Sequence, residues 1–515
     1  MEGPVRYELS DLDRQAPDTI VKCFTFCKLQ ETLELDKLKE ALQQGLDSAI
    51  EHLPFMAGNI CVDQSGKPYI ESVPGTRVEL HVKHYTSKQH KSFTDLAQNC
   101  FHPDDLDLAM LLPELPVDHI PACGLQLNVI EGGLILASSA HHFAVDFTSM
   151  RIFLGAVYMG SKAYYYGYPL LNFAISLDRR PFNGQSVPES VSKQELLDLC
   201  PEYRVLDLKG TLNCRSNAVD LAEYQMKIYK ISEEEIAELK EQCYLPEGVK
   251  YVTSFDCISA ALWKSVTRAR VSTTVEKLAY SSLVFTIDLR SRDPEHVTST
   301  CYFGNAVALI QAGPLDAQSL LGGEGISIAA SSIRQKINGV TISSIKDLTQ
   351  LIRCLPPNEK LKYDAEFKDT DFLVNSWFSE KVEDFDFGAG VPEALRPKPN
   401  PLIGAFCVFL PCFDNPSKRT YELLIQLRPK EHEMLKEDPF FFQVFQACFL
   451  PCTVKIKGHT SLSSSSVTEV ELLGYLGGVF TEEYIYSKDF YFSQFSYISG
   501  CLPSISNLTH YLLYI

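Results

Sequence analysis

A chain of 515 residues exceeds the reach of one hydrophobic core, and its 45% hydrophobic residues can fill two, which excludes a mainly disordered protein and favours two domains. A formal net charge of −18 excludes a nucleic-acid or anionic-membrane surface as the main partner, since both require a basic face; a local basic mouth for an anionic co-substrate stays open. The 16 cysteines are scattered, without a Cys-x-x-Cys pair or zinc spacing, so buried thiols, no metal and a reducing, cytoplasmic setting are expected. The start Met1-Glu2-Gly3-Pro4-Val5-Arg6 has no secretory pattern, and no apolar run nears the roughly 20 residues of a spanning helix.

Apolar residues at Leu35, Leu38, Leu42, Leu46, Ala49, Ile50 and Leu53 lie on one face of a helix that Pro54 stops. Strand patterns follow at 60–62 and 69–73, so the first part mixes helices and strands in an α/β manner. Residues 125–130 and 134–137 flank Glu131-Gly132-Gly133 and read as two strands joined by a tight turn, which delivers His142 at a strand end. The segment His141-His142-Phe143-Ala144-Val145-Asp146 then places a carboxylate four residues past the second imidazole. A neutral imidazole can take a proton from an alcohol or amine if a second group fixes its tautomer, and Asp146 is the nearby candidate. The spacing alone equally describes a structural strand-end histidine.

Residues 157–173, with Tyr164-Tyr165-Tyr166-Gly167-Tyr168, interrupt what should continue as a helix. A linker starts in the Pro- and Gly-rich run 180–193. Ser254 and Asp256 precede Ile258, Ala261, Leu262, Val266 and Ala269, a helix N-capped at Ser254 with Trp263 near its apolar face. Strands are expected at 282–288, 303–310, 372–378, 402–410 and 421–427. The expected layout is a domain at 1–185, a linker at 186–210, a second domain at 211–446 and a tail at 447–515. That tail carries Ser463-Ser464-Ser465-Ser466, few charges and little amphipathic order, and reads as intron or untranslated sequence taken into a gene model, with a real surface element as the alternative.

Several segments fall in a fixed order: Leu9-Ser10-Asp11-Leu12-Asp13, Leu53 to Gly58, His142-x-x-x-Asp146, Ser254-Phe255-Asp256, Asp288-Leu289-Arg290-Ser291-Arg292, Tyr302-Phe303-Gly304-Asn305, Asn375-Ser376-Trp377 and Asp386-Phe387-Gly388-Ala389-Gly390. Their order and spacing resemble the BAHD acyltransferases, in particular the fungal branch that includes trichothecene 3-O-acetyltransferase. The resemblance runs from about Leu9 to about Gln446, outside 157–173.

It implies an α/β fold of two similar chloramphenicol-acetyltransferase-like domains, mixed sheets flanked by helices, with a channel between them where acyl-CoA and a small-molecule acceptor meet at His142. It further implies that His142 is the general base and that Trp377, Ser376 or Asn375 supplies the oxyanion hydrogen bond, with Asn375 standing where the family has Thr. By the same resemblance Asp146 pairs with Arg290. Asp386, Gly388 and Gly390 form a structural turn, in which Ala389 replaces Trp. Phe147 replaces a glycine and narrows the acceptor side of the channel. Ser254 and Lys264 are candidates for CoA contacts, with a helix cap and a solvated lysine as their alternative roles. The implied product is an acyl, notably acetyl, ester or amide of a fungal secondary metabolite, made by a monomer that uses acyl-CoA and no metal. A carrier-protein-dependent condensation-type transfer and a binding protein without turnover are the competing readings.

Overall fold

The computed structural model describes residues 3–448 apart from 115, 117, 171–173, 185–190, 208–222, 247, 274–277, 293–300, 357–358, 364–368, 378–381, 399–403 and 415–419; beyond 448 it describes the backbone of 452–460, 467–474 and 490–495. Two compact units result, Met1–Cys448 and Phe449–Ile515.

The first unit is built on two sheets. We label α1 (Asp11–Gln15), β1 (Ile20–Lys28), α2 (Leu35–His52), β2 (Leu80–His84), β3 (Cys123–Ile130), β4 (Gly133–His141), α3 (Phe147–Tyr166), β5 (Gln225–Ile231), α4 (Ser254–Thr273), β6 (Tyr280–Asp288), β7 (Val307–Asp316), β8 (Asp371–Ser376), β9 (Ala394–Pro397), β10 (Phe406–Pro411), β11 (Tyr421–Leu427) and β12 (Gln446–Ala447). The five-stranded sheet has the order β9-β1-β4-β3-β2, and the seven-stranded sheet β7-β6-β8-β10-β11-β5-β12. Both are mixed: β2 runs parallel to β3, and β8 runs parallel to both β6 and β10. Each has long strands whose residues are buried almost throughout, the pattern of sheets covered on both faces. One core cluster takes Leu125, Leu136 and Phe153 from the first half and Val284, Leu373 and Phe406 from the second, so the sheets share apolar packing.

Four expectations need correction. The stretch 157–173 does not break the helix: α3 runs through Tyr166 and ends on Gly167 in the left-handed conformation, a standard C-terminal cap. It packs on α2 at a close glycine crossing, where a Cβ on Gly45 would stand 2.6 Å from Ser161 N and collide with the Val157 carbonyl, and one on Gly160 would stand 2.8 Å from Gly45 Cα. The expected linker contains ordered elements: a helix at Lys193–Asp198 and a strand at Tyr203–Asp207, which pairs with Glu359–Tyr363. The cap of α4 is Thr253 instead of Ser254; its hydroxyl accepts from Asp256 N at 3.5 Å while the Asp256 carboxylate accepts from Thr253 N at 2.7 Å. The expected strand 303–310 starts only at Val307, because Tyr302 to Ala306 are committed to the site described below.

The strand β9, from the second half, pairs with β1 in the first sheet. The first unit runs through β12 to Cys448, whose amide donates to the Ile228 carbonyl. Part of the expected tail, 452–460, 467–474 and 490–495, lies among the described residues. By itself it forms an antiparallel sheet in which Cys452–Thr460 lies between Val467–Gly474 and Phe490–Phe495. Alternation in Val454-Lys455-Ile456-Lys457 is a strand period, and the backbone register sets Lys455 opposite Glu471 and Lys457 opposite Glu469.

The glycine crossing gives a direct check that residues 157–166 belong to the fold. Gly45→Val should destabilise the protein by about 1–3 kcal/mol through overpacking, read as a lower urea midpoint. Gly155→Ala on α3, where a Cβ meets nothing within 4 Å, should be neutral or stabilising, by up to about 1 kcal/mol from helix propensity.

Candidate active site

His142 follows the last residue of β4. Its amide donates to the Thr19 carbonyl at 2.8 Å, which extends the β1–β4 ladder by one step and fixes the turn that projects the imidazole. The ring is half-buried. Its Nδ1 lies 3.2 Å from Asn305 Oδ1, and Asn305 Nδ2 donates to the His142 carbonyl at 2.8 Å and to Asp13 Oδ1 at 3.1 Å. Both partners of that amide nitrogen are acceptors without a proton to give, so the amide orientation is determined by its network. Asn305 Oδ1 therefore faces the ring, and His142 Nδ1 must carry the proton. The unprotonated nitrogen is Nε2.

Burial lowers the pKa of His142 below its usual 6.5, opposed by the charge of Asp146 and by the hydrogen bond that the imidazole donates to Asn305. The imidazole is thus neutral at physiological pH and can accept a proton. His141 is used differently: its Nδ1 accepts from Phe143 N at 3.2 Å and its Nε2 lies 3.3 Å from Asp18, so this ring braces the turn.

Asp146 turns away from the imidazole and caps α3, accepting from Ser149 N at 2.8 Å. Arg290 meets it with two nitrogens, each at 2.9 Å, in a pair whose residues are only 1% and 3% exposed. Arg290 also donates to the carbonyls of Tyr302 and Gly304, and Ala306 N donates to Asp146 Oδ2 at 3.0 Å. The loop 304–306 is consequently clamped amide by amide: Gly304 N to Ser149 Oγ, Asn305 N to Asp13, and Ala306 N to Asp146. Asp146 thus holds the loop that carries Asn305, the residue facing the His142 ring.

Trp377 follows β8, with its amide on the Phe409 carbonyl at 2.8 Å. Its indole Nε1 is buried and has no hydrogen-bond partner among the described residues. A buried donor without a partner is unusual in a packed protein. Asn375 has its oxygen engaged by Thr286 Oγ1 and Ser376 N, each at 2.8 Å. Phe147 stacks on Trp377 with ring centroids 3.8 Å apart and planes 8° from parallel. Phe147, Asp288, Arg292, Arg334, Asn375 and Ser376 line a cavity of about 350 Å³.

The turn at Asp386 is structural. One carboxylate oxygen accepts from Gly388 N and Gly390 N at 2.8 and 3.0 Å, and both glycines have positive φ, +108° and +93°. Ser161 and Tyr166 of α3 donate to the carbonyls of Phe387 and Gly388, so the tyrosine-rich stretch supports this turn. Lys264 is neither solvated nor at this site: it is buried and donates to the Gly322 carbonyl at 2.6 Å. Ser254, at the start of α4, is half-buried.

Asn305 and Asp13 are the functional residues that sequence reasoning left without a role. Both stand in segments that carry the family resemblance, yet 292 residues separate them. Asp13 also closes a capping box with Ser10, which accounts for it locally and hides its second task.

Comparison with known proteins agrees with this architecture. Residues 3–441 match the Transferase family. An enoyl-CoA isomerase/hydratase of Penicillium crustosum is 25% identical over 85% of this chain, which spans about half, 50%, of that relative's length. An acyltransferase of Emericella nidulans is 24% identical, covering 84% of this chain and 94% of its own. Among solved structures, F. graminearum TRI101 complexed with coenzyme A and T-2 mycotoxin superposes with a TM-score of 0.70 at 18% identity, over 86% of this chain and 99% of that one.

Proposed function

The chain belongs to the Transferase family, as an acyltransferase of the BAHD type, and we propose that it moves an acyl group, acetyl in the first instance, from CoA to a hydroxyl or amine of a fungal secondary metabolite with His142 as general base. The observation that carries this reading is the locked tautomer: Asn305 holds Nδ1 protonated and leaves Nε2 as the base. Relatives named as acyltransferases and a similar fold with coenzyme A bound support the choice of donor.

In the reaction Nε2 takes the proton of the acceptor as its oxygen or nitrogen bonds to the thioester carbonyl carbon. The carbonyl oxygen gains charge and the Trp377 indole N–H is the donor we assign to it. Collapse breaks the C–S bond, and the imidazolium returns its proton to the departing sulfur. No acyl group is stored on the protein, so both substrates must be held in line at His142.

The test is to supply acetyl-CoA, or the same acetyl group on a phosphopantetheinylated carrier protein, with a panel of small alcohols and amines while free thiol is followed. Thiol release from acetyl-CoA is expected. Transfer from the carrier alone would replace this reading with the condensation-type one. Tight binding of a small molecule without thiol release from any acyl-CoA would favour a binding protein, a reading motivated by Phe147, which covers one face of the Trp377 indole.

A further inference from the structure

We propose that Arg179 is a positioning residue for His142, acting through Asp13 and Asn305 to hold the imidazole in its Nδ1-protonated form; this deepens the general-base reading of the same site. The Asp13 carboxylate is fully buried and accepts four hydrogen bonds. Oδ1 takes Asn305 N at 2.6 Å and Asn305 Nδ2 at 3.1 Å, while Oδ2 takes Ser10 N at 2.8 Å and Arg179 Nη1 at 2.9 Å. Arg179 is therefore the cation that lets a carboxylate persist in a dry place, and the carboxylate is what aligns the Asn305 amide.

The placement of Arg179 is built into the fold. Its segment docks beside the loop, with Ser176 N on the Cys301 carbonyl at 2.8 Å and Phe303 N on the Ser176 carbonyl at 2.9 Å. Its guanidinium also donates to Tyr302 OH at 3.0 Å and the Phe303 carbonyl at 2.8 Å, and lies over the Phe55 and Tyr302 rings. Gly304 has φ +146°, and a Cβ there would collide with the Arg179 guanidinium and stand 2.6 Å from Tyr302 OH. The bare glycine next to Asn305 leaves the space this arginine fills.

Removing the guanidinium charge has a defined chemical consequence. Without that charge the Asp13 carboxylate is left buried and unpaired, and it no longer aligns the Asn305 amide as firmly. The Asn305 amide then keeps only the His142 carbonyl as a firm acceptor for its nitrogen, and its orientation is held more weakly. Turned over, Asn305 offers an N–H to Nδ1, which selects the imidazole with its proton on Nε2 and removes the base. The ionic groups around His142 are His141 with Asp18, Asp146 with Arg290 and Asp288, and Asp13 with Arg179. Of these, the last pair is the one that bonds the Asn305 side-chain amide directly.

The test compares Arg179→Met, Arg179→Gln and Arg179→Lys with the wild-type protein. The imidazole nitrogen resonances of His142, assigned by their loss in His142→Ala, report the tautomer by histidine-selective NMR without any substrate. The neutral variants should lose the Nδ1-protonated signature, and kcat for acetyl-CoA-dependent transfer should fall by about 10–100-fold with KM for the CoA substrate little changed, the scale of lost outer-shell partners. Lysine should restore both. If the methionine variant does not fold, the glutamine variant, which keeps a donor but not the charge, decides. A native tautomer in a folded neutral variant would overturn the proposal. Because the resonance readout needs no turnover, an absence of acyl transfer in the wild-type protein would count against the proposed function and not against the role of Arg179.

Discussion

His142→Ala should lower kcat/KM for acyl transfer by about 10²–10⁴, the range for a positioned general base, while the melting temperature stays near that of the wild-type protein. The imidazole contributes little to the fold: it is half-buried, and the bonds that hold its backbone, from His142 N to Thr19 and from Asn305 Nδ2 to the His142 carbonyl, survive truncation. His141→Ala should do the reverse. That ring is 2% exposed, braces Phe143 N and faces Asp18, so its loss should cost stability ahead of chemistry. Steady-state kinetics with thermal denaturation on both variants separates the two histidines.

The second large effect belongs to Asp146→Ala, which should destabilise the protein by about 3–5 kcal/mol and abolish most activity. The variant strands the Arg290 guanidinium in a site only 3% exposed and leaves the amides of Ser149 and Ala306 without their acceptor. Asp288, on the exposed side of Arg290 at 3.2 Å, offsets part of that charge and is the reason the cost stays within the range for a broken buried pair. The midpoint of urea unfolding measures it. Activity falls as well because Ala306 neighbours Asn305, and a loose loop no longer sets the imidazole.

The linear features of the site were legible in the sequence. His142 and Asp146 are four residues apart, and the strand, glycine turn and strand before them say where the histidine must emerge. The resemblance added Arg290, and that contact stands at 2.9 Å. What the sequence did not disclose was the second clamp, Arg179 to Asp13 to Asn305, because its members come from three distant segments and each has a sufficient local explanation. The face-to-face stack of Phe147 on Trp377 depends on how the end of β8 meets the start of α3, which no spacing encodes. The tyrosine-rich end of α3 misled for the opposite reason. Its polarity looks wrong for a buried helix, yet glycine on both partners lets α2 and α3 approach so closely that only part of that face is covered, and Tyr164 and Tyr166 stay exposed.

On the proposed reading His142, neutral and protonated on Nδ1, is the base for acyl transfer. The most direct test of that reading is the dependence of kcat/KM on pH, followed as thiol release from acetyl-CoA with a saturating acceptor. Since burial lowers the pKa of His142 and the base works only when unprotonated, the rate should be level through neutral pH and fall only as pH drops below 6.5. A flat profile, a limb lying above 6.5, or the same limb in the residual activity of His142→Ala would contradict it.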